Sequence, residues 1–221
     1  MTYKGFKGYM RIIGHLAENG VVLGDEFRAG NFAPAARNLT FIKHCARQLP
    51  KGKSIAALRS DSAAYQAEII NRCEHEGIQF AIGADLDEAI MGAITAIPEK
   101  AWKPHKHGSI AETIHSMEKT EEAFWLIVVC RPYQGTLFSE DDTSPKYTVI
   151  ATNKRESPGE LVRWYNQRGV CSENRIKELK IGFGMQRMPC AQRTANALFF
   201  RIGTLAYNLF RFFALGMATE K

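Results

Sequence analysis

Trp164-Tyr165-Asn166-Gln167-Arg168-Gly169-Val170-Cys171-Ser172-Glu173-Asn174-Arg175-Ile176-Lys177-Glu178-Leu179-Lys180 is the most specific run in the chain. Glu173 and Lys180 are seven apart, so at about 100° per residue they share one helix face. Tyr165 and Arg168, three apart, also share a face. A solvated amphipathic helix with ion pairs such as Arg175 with Glu178 accounts for this pattern. So does a second arrangement. A lone carboxylate flanked by Tyr, Arg and Lys can hold a divalent cation while the cations and the ring grip a nucleic-acid strand. The residues alone leave both readings open.

Outward from this run, the N-terminal side alternates short strands with helices. Residues 9–14 and 20–27 are β-like, and Asn19-Gly20 between them is a hairpin signal. Pro34 to Gln48 suits a helix with Ala35, Leu39, Ile42 and Ala46 on one face. Ser54 to Arg59 is a strand, Ala63 to about Glu76 a helix, and Ile78 to Gly83 another strand. That order implies a parallel crossover. From about Ile97, prolines and glycines punctuate the chain around two β-rich runs, 123–130 and 146–151. We therefore expect three segments: 1–97, an inserted β-rich subdomain over 98–152, and a helical part over 153–221.

Ser157-Pro158 reads as a helix start, with Ser as N-cap and Pro just inside. In the last helix, about 192–215, Arg201, Thr204, Asn208 and Arg211 recur as one polar stripe. Leu198, Ile202, Leu205, Leu209 and Phe212 fill the other side. The expectation is a mostly buried helix with one wet edge.

Charge is unevenly distributed. Residues 1–150 carry 17 basic and 18 acidic side chains, while 151–221 carry 12 and 5. The surplus of +7 in the last third is what a phosphate-contacting surface would leave, although solvated helix faces also carry Lys and Arg. Five cysteines without a CxxC pair fit reduced thiols in a cytoplasmic protein better than a disulfide framework or a zinc knuckle. The N-terminus has no signal-peptide core, and Arg201 and Arg211 interrupt the one apolar run long enough to span a bilayer. No membrane partner is expected. There is no GxGxxG, P-loop, GxSxG or HExxH.

Single acids remain ambiguous. Asp61, where a strand ends and a helix begins, is either an N-cap or a cation-binding carboxylate at a strand's C-terminal end. Asp85 and Asp87 read as helix caps. His105-x-His107 with His115 lacks a completing ligand, which leaves loop histidines as the default.

The quoted run resembles the Y-x2-R-x3-E-x6-K signature of bacterial insertion-sequence DDE transposases. Tyr165-x2-Arg168 and Glu173-x6-Lys180 match, with four residues between the halves where the family has three. Leu58-Arg59-Ser60-Asp61-Ser62 looks like the strand carrying the family's second acid. Met188-Pro189-Cys190, Ala195-Asn196-Ala197 and Leu205-Ala206-Tyr207-Asn208-Leu209-Phe210 look like its C-terminal helices.

The resemblance implies a ribonuclease-H-like α/β fold, here a mixed sheet without its first central strand, with a β-rich insertion and C-terminal helices. It implies Mg²⁺-dependent (Mn²⁺ in its place) strand cleavage and transfer, with Asp61 and Glu173 as catalytic acids and metal ligands. Tyr165, Arg168 and Lys180, with Arg175 and Lys177, would contact double-stranded DNA at transposon ends and target. It also implies self-association on DNA and a bacterial, nucleoid-associated location. Residues 1–8 hold no acid, and Asp25 lies on a strand far from the expected first position. The expectation is a chain lacking its N-terminal portion and inactive alone. A silent DNA-binding remnant that competes with full-length transposase, and another ribonuclease-H-like nuclease, are the alternatives. Genomic sequence upstream of Met1 separates a truncated gene from a remnant.

Overall fold

The computed structural model describes residues 8–106, 108–132, 145–168 and 174–219. It divides into two compact units, one of Met1–Ser54 with Gln167–Lys221 and one of Ile55–Asn166.

The first unit opens with β1 (Tyr9–His15) and β2 (Val22–Ala29), an antiparallel pair forming its own two-stranded sheet. The turn is wider than a two-residue hairpin. Leu16 N–H donates to the Val21 carbonyl, Asn19 Oδ1 accepts from Val21 N–H, and Gly20 takes a positive φ of 75°. Helix α1 (Asn38–Arg47) is shorter at its start than the sequence pattern implies. Asn38 and Cys45 are its buried residues, while Leu39, Ile42 and Ala46 of the expected face are half-buried and Ala35 lies before the helix. Gly14 and Gly24, paired in register, explain the fit. A Cβ on either would lie within 3 Å of the Cys45 sulfur.

The second unit continues with β3 (Ala57–Ser60), α2 (Ala67–His75), β4 (Gln79–Gly83), α3 (Glu88–Thr95), β5 (Lys103–His105), β6 (Gly108–His115), β7 (Phe124–Arg131), β8 (Lys146–Thr152) and most of α4 (Pro158–Arg168). Its six-stranded sheet has the order β3-β4-β8-β7-β6-β5. β3 and β4 are parallel, as the crossover pattern required, and the remaining pairs are antiparallel. The sheet is therefore mixed, and β3 lies at its edge among the described strands. Strand β6 was not legible in sequence, and it joins β7 along its whole length.

β7 is apolar almost throughout because both of its faces are covered. Ile127 and Val129 join Ala81, Ile150, Leu161, Val162 and Tyr165 beneath α4. Phe124, pointing the other way, meets Tyr65 and Phe80 edge-on. Helix α4 starts as the sequence indicates, with Ser157 Oγ donating to Glu160 and Pro158 as the first helical residue.

The first unit resumes with α5 (Asn174–Lys177), a five-residue π-helical stretch (Glu178–Gly182) and α6 (Arg193–Thr219). Here one expectation is overturned. Apart from Arg201, whose side chain is largely exposed, the polar stripe of α6 faces inward and the apolar stripe faces out. Asn208 donates to the Val22 carbonyl and accepts from Val22 N–H, both at 2.8 Å. Arg211 donates twice to the Asn19 carbonyl, Thr204 is buried, and Arg201 stands 3.7 Å from Asp25. Phe200 and Tyr207 join Val22, Leu179 and Met185 in the core between these polar groups. Leu198, Ile202, Leu205, Leu209 and Phe212 are each more than half exposed. The stripe is inward because the hairpin's turn and bulge leave backbone groups that only polar side chains satisfy. By length and composition α6 is also long and apolar enough to cross a membrane.

Candidate active site

Asp61 follows β3 directly, and Asp85 and Asp87 follow its parallel neighbour β4. Ends of parallel strands leave side chains free in a crevice, which is where open α/β sheets bind ligands. Asp87 and Asp61 are used differently. Asp87 accepts from Ile90 N–H at 2.8 Å and caps α3, as the sequence implied. Asp61 occupies the N-cap position of a short 3-10 turn (Ser62–Ala64) in extended conformation, yet its side chain makes no capping bond and the residue is exposed.

Beside it stands Tyr165, on the buried face of α4. A Cβ on Gly83 would lie 2.8 Å from the Tyr165 hydroxyl, 3.4 Å from Ser62 N and 3.7 Å from the Asp61 carbonyl carbon. The phenol of Tyr165 and the Asp61 turn thus converge on the bare end of β4, and only glycine leaves room for both. Arg59, two residues before Asp61, fastens β3 to α4. Its guanidinium donates to the Trp164 carbonyl at 2.7 Å and lies 4.9 Å from the centre of the Trp164 ring. Lys154 stacks on the same ring at 4.4 Å.

Tyr65 adds a second phenol nearby. Its hydroxyl is buried without a hydrogen-bond partner among the described residues. Burial, then the charges of Asp87 and Asp85, push its pKa far up, so it stays a neutral phenol.

Glu173 lies outside the described residues, as do Gly169 to Ser172 and His107. Arg168 ends α4, half-buried. Arg175 is ion-paired to Glu178 at 3.2 Å, the bond anticipated for a structural helix, and packs over Gly20 in the hairpin turn. Lys177 and Lys180 are exposed. Lys180 sits in the π-helical stretch, whose wider turn departs from the 100° step used to align it with Glu173. Among the described residues no three His, Cys, Asp or Glu side chains are grouped to hold a metal ion. Asp61 is one open donor and not, by itself, a metal site.

Sequence reasoning named Gly83, Arg59 and Asn196 only as members of longer stretches and gave them no role of their own. The first two bear on the Asp61 turn. The third, fully buried, clamps the segment before α6 by donating to the Cys190 carbonyl and accepting from Cys190 N–H. A glycine closing an otherwise apolar strand at Gly83 was the available signal.

No curated protein matches the chain. Residues 1–221 match a family model described as transposase DDE domain group 1.

Proposed function

The chain belongs to the transposase DDE domain family, and from that premise we propose that it is the catalytic part of an insertion-sequence transposase acting on double-stranded DNA at transposon ends. The observation that carries the reading is the Asp61 side chain, exposed and unused as a cap at the end of a parallel strand, on a turn that meets the Tyr165 hydroxyl at Gly83. In this reading Asp61 and Glu173 are the acids. Mg²⁺, or Mn²⁺ in its place, would polarise the phosphodiester when bound. Arg59 is a positioning residue that holds Asp61 against α4. Lys177 and Lys180 offer exposed charge to phosphates, with Tyr165, Arg168 and Arg175 supporting the DNA-facing segment.

The fold we assign is ribonuclease-H-like, with 98–152 inserted between the segments carrying Asp61 and Glu173. In that fold a further strand bearing the first acid lies between the equivalents of β1 and β3. What supports reading that strand as missing from the sheet is that, among the described strands, β3 pairs with β4 alone and β1 with β2 alone. As a 221-residue polypeptide the protein therefore binds DNA without cutting it, a bacterial cytoplasmic protein that assembles on DNA. The same open edges favour the second reading, a silent DNA-binding competitor.

The test is binding to transposon-end DNA across a salt series. Each neutralised phosphate contributes about −0.9 to the log–log slope. A steep slope, flattened by Lys177→Ala with Lys180→Ala, is expected, and a flat response removes the DNA reading. Mg²⁺-dependent nicking that is lost in Asp61→Ala would keep the acid and overturn the inactivity.

A further inference from the structure

Between α4 and the six-stranded sheet, within the unit Ile55–Asn166, lies a cavity of about 460 Å³ lined by none of the residues assigned to the DNA reaction. Its cations are arranged by strand register. His105 pairs with Gly108, and Arg131 with Lys146, so these four positions form one row across β5, β6, β7 and β8. Gly108 keeps the middle of the row bare. A Cβ there would strike the Cys130 carbonyl and lie 3.2 Å from the Arg131 Cα. Lys106 stands at the same end, between the paired His105 and Gly108, with a positive φ of 51° that a side chain adopts at a cost. The row reaches the first turn of α4, where His105 lies 3.9 Å from the Cβ position of Gly159, so the positive end of that helix adds to the field. Arg131 and Lys146 face each other directly, and like charges so placed destabilise a strand pair. Among the described residues, no aspartate or glutamate lines the cavity. Further in, the lining turns apolar: Val129, Ile150 and Val162 are buried there, with Thr148 and Asn166 as the polar groups beside them.

We propose that this cavity binds a free nucleoside diphosphate, its phosphates on Lys106, Arg131 and Lys146 and its ring system against the apolar wall. The charge calls for an anion. Phosphate oxygens between Arg131 and Lys146 turn a repulsive pair into a bridged one. The volume lies within the range of about 300–1,000 Å³ of small-ligand sites. The two ends differ in character, so the fitting guest has a charged head and a flat, weakly polar body. Inorganic phosphate fills only the charged end. A DNA duplex is the poorer occupant, because it offers phosphates along its outside and keeps its bases stacked within, which leaves the apolar wall uncovered. The site is separate from the proposed DNA contacts, since neither Lys177 nor Lys180 lines it.

The experiment is isothermal titration calorimetry of the full 221-residue chain with ADP and with UDP, without DNA or divalent metal, wild type against Arg131→Gln. Expected is saturable binding by wild type, weakened about tenfold or more in Arg131→Gln. The variant should melt no lower than wild type, because the repulsion with Lys146 is gone. A wild type that takes up neither nucleotide overturns the proposal, as does an Arg131→Gln that binds as tightly as wild type. Adenosine bound as tightly as ADP would also overturn it, since the cations would then do nothing. Should Arg131→Gln unfold, Lys146→Gln decides, and unchanged affinity there overturns the site. Lys177→Ala with Lys180→Ala should leave nucleotide binding intact, so failure of this proposal and failure of the DNA reading are separate results. A blunt duplex that displaces ADP from wild type, and itself binds more weakly to Arg131→Gln, would assign the cations to the DNA backbone and equally overturn the proposal.

Discussion

The six-stranded sheet of Ile55–Asn166 and the long helix of the other unit bury their residues by opposite rules. In the sheet, β7 and β8 are covered on both faces, and apolar side chains from Phe80 to Ile150 do the packing. In α6, the side against the hairpin mixes Phe200 and Tyr207 with Thr204, Asn208 and Arg211, while leucines and phenylalanines face outward. The difference follows from what each element meets. A sheet interior satisfies its own backbone, so its faces ask only for apolar volume. A hairpin with a bulge and a wide turn presents open N–H and C=O groups, and the helix above it must supply partners.

This contrast gives a ranked set of tests. The largest effect is expected for Leu126→Ala, fully buried in β7, which removes close-packed volume and costs about 2–5 kcal/mol in chemical denaturation. Next is Asn208→Ala, which leaves the Val22 N–H and carbonyl without their side-chain partner. It should cost about 2–3 kcal/mol, with no compensation from higher hydrophobicity. If Asn208→Ala is neutral, the two units do not differ in the way described.

Much of this was legible in the chain, and the failures have specific causes. The β3–α2–β4 crossover, the β7 and β8 runs and the Ser157-Pro158 helix start follow from alternation, apolar runs and capping chemistry. The helix α6 was found, but its sides were assigned the wrong way round. A stripe pattern fixes which residues share a face and not what that face meets. Strand β6 was missed because Ser109 to His115 mixes polar and apolar residues without clean alternation. At the proposed site, the sequence left Asp61 open between a cap and a cation-binding carboxylate, and in the structure its side chain makes no capping bond. Gly83 and Arg59 act across elements far apart in the chain, and no local pattern marks such contacts.

A smaller effect sharpens the view of the site. Gly83→Ala places a methyl group against the Tyr165 hydroxyl and should cost about 1–3 kcal/mol. The same change in a Tyr165→Phe background should cost less, since the clashing oxygen is gone. Equal costs in the two backgrounds would mean that Gly83 and Tyr165 are not in contact.

The smallest effect is a pH dependence from the sheet. Burial lowers the His115 pKa, with Asp87 opposing, so the folded state holds fewer protons than the unfolded state just below the ordinary histidine range. Stability should be constant above about pH 7 and fall modestly as pH drops through about 6.5 towards the lowered value. Melting temperatures of His115→Gln, followed over the same range, should lose that dependence. An unchanged slope would assign it to another group.

The central claim is that Asp61 is an open acid of a transposase site and not a structural cap. It is tested most directly by Mn²⁺ titration of the ¹⁵N-labelled chain. Paramagnetic broadening is predicted for the amides of Ser60, Ser62 and Ala64, it should spare those of β6, and Asp61→Asn should restore the signals. Broadening that is absent from this turn, or that persists unchanged in Asp61→Asn, would contradict the account.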